Sequence, residues 1–136
     1  MTSREYLEQI KHLDKEIMTN KAMIESLEDS IKNHKDKEIL NEIKRLKDEI
    51  KRLKDEIKNR LIYIAKVKKV VIKEIYKINN SFSRTILLNH YVNGLTLKDI
   101  ANITHFSYGY IKNRHIKALS EFENCNKEKI NKIISD

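Results

Sequence analysis

The chain has 136 residues, a formal net charge of +8, no proline and only two glycines, Gly94 and Gly109. That is room for one compact domain, or a small domain on an extended element, and a composition so poor in turn formers reads as nearly all helix rather than sheet. The single cysteine, Cys125, excludes an internal disulfide, and no run approaches the ~20 apolar residues of a membrane span. With no secretion-type leader behind Met1, the expected location is cytoplasmic, with no membrane partner.

At the start, Thr2-Ser3-Arg4-Glu5 has the spacing of a capping box. Isoleucines then recur every seven residues at Ile10, Ile17, Ile24 and Ile31, with Tyr6, Leu13, Asn20, Leu27 and His34 offset by three. These are a and d positions of heptads. The phase slips where Asn33 to Lys37 hold no apolar residue, and the next clean a position is Ile43. The spacing predicts two helices with a break near 33–37.

The second helix carries a positions at Ile43, Ile50, Ile57, Ile64, Val71 and Ile78, and d positions at Ile39, Leu46, Leu53, Arg60, Val67 and Glu74. β-Branched residues at a with Leu at d favour parallel pairs. Glu42 and Glu49 at g attract Lys47 and Lys54 at e only in that alignment. A rod over 36–79, roughly 65 Å long, cannot bury such a stripe alone. The expectation is a homodimer seamed at Ile43, Leu46, Ile50, Leu53, Ile57 and Ile64; the alternative is the first helix folded back over the stripe. Past residue 58 the stripe widens through Leu61, Val70 and Ile75, which predicts a further neighbour, the C-terminal domain being one candidate. From Lys58 to Lys77, seven basic residues (Lys58, Arg60, Lys66, Lys68, Lys69, Lys73 and Lys77) stand against one acid, Glu74. Such a run either tracks phosphates or is a solvated flank.

Asn79-Asn80-Ser81-Phe82-Ser83 reads as a linker, dividing dimerisation helices over 1–79 from a domain over 80–136. Three short helices are expected there. The first, from Arg84 to Val92, presents Leu87, Leu88 and Tyr91 inward and ends at Asn93-Gly94. Thr96 caps the second, with Asp99 completing a capping spacing; Leu97, Ile100, Ala101 and Ile103 give it a buried side. Ser107 caps the third, about 108–123. Its inner face holds Ile111, Ala118 and Phe122, with His115 and Leu119 at the border. A short helix is expected in the tail from Asn126 to Asp136.

Such a pair of helices is a helix-turn-helix, and the outer face of the third helix carries Lys112, Asn113, Ile116 and Lys117, with Tyr110 and Arg114 toward one edge. In a major groove, Lys suits guanine acceptors, Asn suits the mixed edge of adenine, and Ile116 can touch a thymine methyl. Thr96, Lys98, Ser107, Tyr108, Tyr110 and Arg114 are placed for phosphates. No metal site is expected, since His90, His105, His115 and Cys125 match no zinc spacing. No cofactor is implied, and with neither a nucleophile beside a base nor paired acids, the chain does not read as an enzyme.

Leu88-x-x-Tyr91-x-x-Gly94-Leu95-Thr96-Leu97-Lys98-Asp99-Ile100-Ala101, followed by Ser107, Ile111-Lys112-Asn113-Arg114 and Lys117-Ala118-Leu119, resembles region 4 of bacterial sigma factors. With the start of the chain, Arg4 to Ile17, it is similar to phage-encoded regulators of the ArpU/RinA kind. The resemblance covers roughly 4–20 and 82–122. It departs in the turn before Phe106, where Thr104-His105 replace a usual Leu-Gly pair, and at Gly109 near the start of the third helix. The expectation is an all-α regulator: a coiled-coil or helical-hairpin stalk carrying a sigma-region-4-like module that binds double-stranded DNA at phage or mobile-element promoters. The rival is a sigma-like protein docking on RNA polymerase or another regulator without reading DNA.

Overall fold

The two long heptad helices meet each other. The computed structural model describes residues 2–32 and 40–126. In chain order they form α1 (Ser3–Leu7), α2 (Gln9–Lys32), α3 (Leu40–Ile75), α4 (Ser81–Leu87) running into a π-helical turn (Leu88–Val92), α5 (Leu97–Thr104) and α6 (Tyr108–Cys125). None of the described helices is long and apolar enough to cross a membrane. The expected break near 33–37 and the tail helix after Asn126 lie outside the described residues.

Two units divide the chain, one drawing on His12–Ala65 and the other on Met1–Lys11 with Lys66–Asp136. In the first, α2 and α3 form a hairpin. Ile17 and Ile24 are buried with Ile50, Leu53, Ile57 and Ile64, and Leu13, Leu27 and Ile31 pack at the margin. The stripe assigned above to a second copy therefore has an occupant within the chain; Ile43 and Leu46 are half-buried. Alignment is antiparallel: Arg60 pairs with Glu16, while Lys54, earlier in α3, pairs with Glu28, later in α2, at 3.2 Å. Charge placement follows. Lys54 pairs across the hairpin, and Glu42 and Glu49 pair with Arg45 and Arg52 of their own helix. Exposed pairs of this kind contribute about 1 kcal/mol or less each, so the apolar seam decides the partner. Arg60, polar at a d position, is explained by its bonds to Glu16 and Glu56.

The second unit has its core where α1 meets α6, the last of the described helices. Tyr6, Leu7 and Ile10 are buried with Val71, Ile75 and Ile78, and with Leu87, Tyr91, Ala118 and Phe122. Compact packing thus begins well before the linker at 79–83, because α1, Ile10 of α2 and the segment from Val71 to Ile78 supply more than half of the buried residues of this core. The linker itself is short: Asn80 Oδ1 accepts from the N–H groups of Phe82 and Ser83, both at 3.0 Å, so α4 starts at Ser81 rather than Arg84. Glu74, the second polar d residue, is 3% exposed and accepts the Tyr6 O–H at 2.7 Å. Burial and that carboxylate push the Tyr6 phenol well above its ordinary pKa.

An intrachain seam makes a distinct prediction. Leu53→Ala should cost about 2–4 kcal/mol in urea unfolding, with a midpoint independent of protein concentration. A midpoint that climbs with concentration would mean that a second copy supplies the contact.

Candidate functional site

Short-range rules set the geometry of α5 and α6. Thr96 Oγ1 accepts from the Asp99 N–H, and Asp99 Oδ2 accepts from the Thr96 N–H, both at 3.1 Å, closing the expected capping box. His105 ends α5 in the left-handed conformation (φ 64°), standing where a glycine would be cheapest. Ser107 Oγ then accepts from the Tyr110 N–H at 3.2 Å and starts α6. Ile100 and Ala101 of α5 are buried with Ile111 of α6 and Ile86 of α4, bordered by Phe82, Leu95 and Leu97.

One expected inner residue is not there: Ile103 is 63% exposed. At 100° per residue, Leu97, Ile100, Ala101 and Thr104 share the inward side (i, i+3, i+4, i+7), and Ile103 falls about 60° beyond its edge at Ile100.

Along α6, Ile111, His115, Ala118 and Phe122 are buried, while Tyr108, Tyr110, Lys112, Asn113, Ile116 and Lys117 are exposed. His115 is thus core rather than border, and its partner explains why. Tyr91 Oη lies 2.7 Å from His115 Nε2. Burial, helped by nearby His90 and Arg4, lowers the His115 pKa to about 4, and burial raises the Tyr91 phenol to about 12. The phenol therefore keeps its proton and donates it to the unprotonated Nε2, since an undonated buried O–H would be costly. His90 Nδ1 donates to the Leu95 carbonyl at 2.7 Å, and its ring lies edge-on to His115 at 5.2 Å. The π-helical turn carries His90 and Tyr91; its wide loop shows in the bond from the Asn93 N–H to the Leu88 carbonyl, 2.9 Å, where an ordinary helix end was expected.

The residues assigned to nucleic acid fall into four groups. Lys98 of α5 and Lys112 of α6 converge on one ring, their Nζ atoms 5.6 and 5.2 Å from the Tyr108 centroid. The quadrupole of that ring offsets part of the repulsion between two ammonium groups. Asn113 and Lys117 share the exposed side with Ile116. Thr96 and Ser107 are caps whose oxygens accept backbone N–H groups, leaving each hydroxyl hydrogen for another acceptor.

Arg114 and Tyr110 are engaged in packing. Arg114 Nη2 donates to Asn80 Oδ1 and Ser83 Oγ, each at 3.3 Å, and its guanidinium lies 5.5 Å from the Phe82 ring centre. Tyr110 joins Phe82 and Phe106, with centroid distances of 6.1 and 4.8 Å. That aromatic cluster is not legible in the sequence, since Phe106 precedes the Ser107 cap of α6 and Phe82 lies in α4.

Comparison of the chain with protein-family models, with curated proteins and with solved structures finds no match. The chemistry of the site has to stand by itself.

The buried imidazole gives a pH prediction. An unfolded His titrates near 6.5, whereas His115 resists protonation to about 4. Between those values the unfolded chain takes up a proton that the native state refuses. The contribution is complete above pH 6.5 and declines as pH falls, by up to about 3 kcal/mol at pH 4. Urea midpoints from pH 7 to 4 should show this decline in the parent chain and a shallower one in His115→Gln.

Proposed function

We propose that this chain is a sequence-specific, double-stranded-DNA-binding regulator of transcription that lays α6 in the major groove. The observation supporting it most directly is the division of α6: Ile111, His115, Ala118 and Phe122 anchor one side, leaving Asn113, Ile116 and Lys117 exposed on the other. Asn113 suits adenine, Lys117 the N7 and O6 of guanine, and Ile116 a thymine methyl. The Lys98–Tyr108–Lys112 cluster, with the hydroxyls of Thr96 and Ser107, grips the phosphates that fix register. The resemblance to sigma region 4 and to ArpU/RinA-like regulators adds phage or mobile-element promoters as the setting. The α3 stripe is occupied inside the chain, so a single chain is taken as the reading unit. No cofactor or metal enters this reading.

A second reading, docking on RNA polymerase without contact to bases, draws on the exposure of Ile103 (63%) and Ile116 (59%), apolar groups open to a protein partner.

Gel shifts on the DNA upstream of the coding sequence, against a scrambled duplex, separate the two. Asn113→Ala with Lys117→Ala should lower the preference for the true site by about 10–100-fold, since a good base contact carries about 1–3 kcal/mol of discrimination. Helicity should stay the same, because both side chains are exposed. Polymerase binding with no preference among duplexes would establish the second reading instead.

A further inference from the structure

Every charged side chain exposed on the last turns of α3 is cationic, for a reason visible only in the fold. Between Lys66 and Lys77 the sequence holds Lys66, Lys68, Lys69, Lys73 and Lys77 and one acid, Glu74. Glu74 is buried, accepting the Tyr6 O–H. Its charge is therefore removed from the surface on which the lysines stand. Lys66, Lys69, Lys73 and Lys77 are exposed, Lys68 is half-buried, and none of the five forms an ion pair with another described residue.

Rotation along the helix lines up three of them. Lys66, Lys69 and Lys73 stand at i, i+3 and i+7, rising about 4.5 and then 6 Å along the axis. Lys69 and Lys73 each stand two residues, about 200° around the helix, from Val71, and Lys73 likewise from Ile75; Lys66 stands five residues, about 140°, from Val71. Val71 and Ile75 pack in the cluster that holds Ala118 and Phe122 of α6. The row thus lies on the side of α3 turned away from α6.

We infer that Lys66, Lys69 and Lys73 form a second duplex-binding surface, sequence-independent and gripping the phosphate backbone of DNA other than the stretch that α6 reads. Charge complementarity identifies the occupant: a row of ammonium groups with no ion-pair partner among the described residues fits a regular line of phosphates, and each phosphate neutralised releases counterions. The inference rests on the proposed DNA-binding function only for the identity of the polyanion.

The experiment is a salt titration of affinity for an unrelated duplex, using the full chain with Asn113→Ala and Lys117→Ala to silence base reading. Adding Lys66→Gln, Lys69→Gln and Lys73→Gln should make the slope of log K against log salt shallower by about 3, close to 0.9 per lost phosphate contact. Single substitutions should each remove about 1, and the three Lys→Arg changes should keep the slope. In the chain with its base-reading residues intact, the Gln triple should leave the preference for the upstream site over a scrambled duplex unaltered. An unchanged slope in the singles and the triple would overturn the inference while leaving specific binding by α6 standing. A reduced slope in a chain with no site preference would uphold the row and remove the proposed function. A chain that binds no duplex overturns both.

Discussion

The rotation of α6 about its own axis governs what this protein offers to the outside, and that rotation is set from behind. Ile111, Ala118 and Phe122 are fully buried and His115 nearly so, at the spacing of one helical stripe. Burying a large apolar side chain is worth about 1.5–3 kcal/mol, whereas an exposed Lys or Asn contributes almost nothing to holding its own helix in place. The outward position of Asn113, Ile116 and Lys117 is therefore a consequence of where the apolar residues go. The partners that secure the stripe's Ala118 and Phe122 come from distant parts of the chain, Tyr6 and Leu7 in α1, Val71 and Ile75 at the end of α3, and Ile78 just beyond it.

Polar groups inside this apolar frame fix which packing is adopted. Tyr6 with Glu74, and Tyr91 with His115, are each matched at 2.7 Å. A slip of either helix by one residue would leave a buried carboxylate or phenol without its partner, at a cost of about 1–3 kcal/mol or more. Arg114, bonded to Asn80 and Ser83 and stacked on Phe82, locks α6 to the first turn of α4 in the same manner.

Local chemistry was the legible part. The caps at Thr2, Thr96 and Ser107, the stop at Gly94 and the left-handed His105 all depend on residues within three or four positions, and the sequence displays those directly. The inward choice of Ile111, Ala118 and Phe122 followed from periodicity alone. Partner choice was not legible. A heptad stripe at Ile50, Leu53, Ile57 and Ile64 looks the same whether a second copy or α2 covers it, and surface charges are too weak to decide. Arg60 and Glu74 are only polar interruptions at d positions in the sequence, because their acceptor and donor, Glu16 and Tyr6, lie more than forty residues away. At the candidate site, Lys112, Asn113 and Lys117 stand exposed as expected, whereas the commitment of Arg114 and Tyr110 to Phe82 depends on tertiary contacts outside any local pattern. The π-helical turn at Leu88–Val92 has no signature in single-residue preferences.

The core around Phe122 is stitched from two ends of the polypeptide, with the hairpin segment 12–65 inserted between its halves. A ribosome would release Tyr6 and Leu7 long before Phe122 exists, so those side chains must wait for that partner until α6 has been made. Joining two such ends costs loop entropy that grows only with the logarithm of the intervening length, about 0.6 kcal/mol per doubling. The inserted segment can therefore vary in length across evolution with little penalty to the module it interrupts.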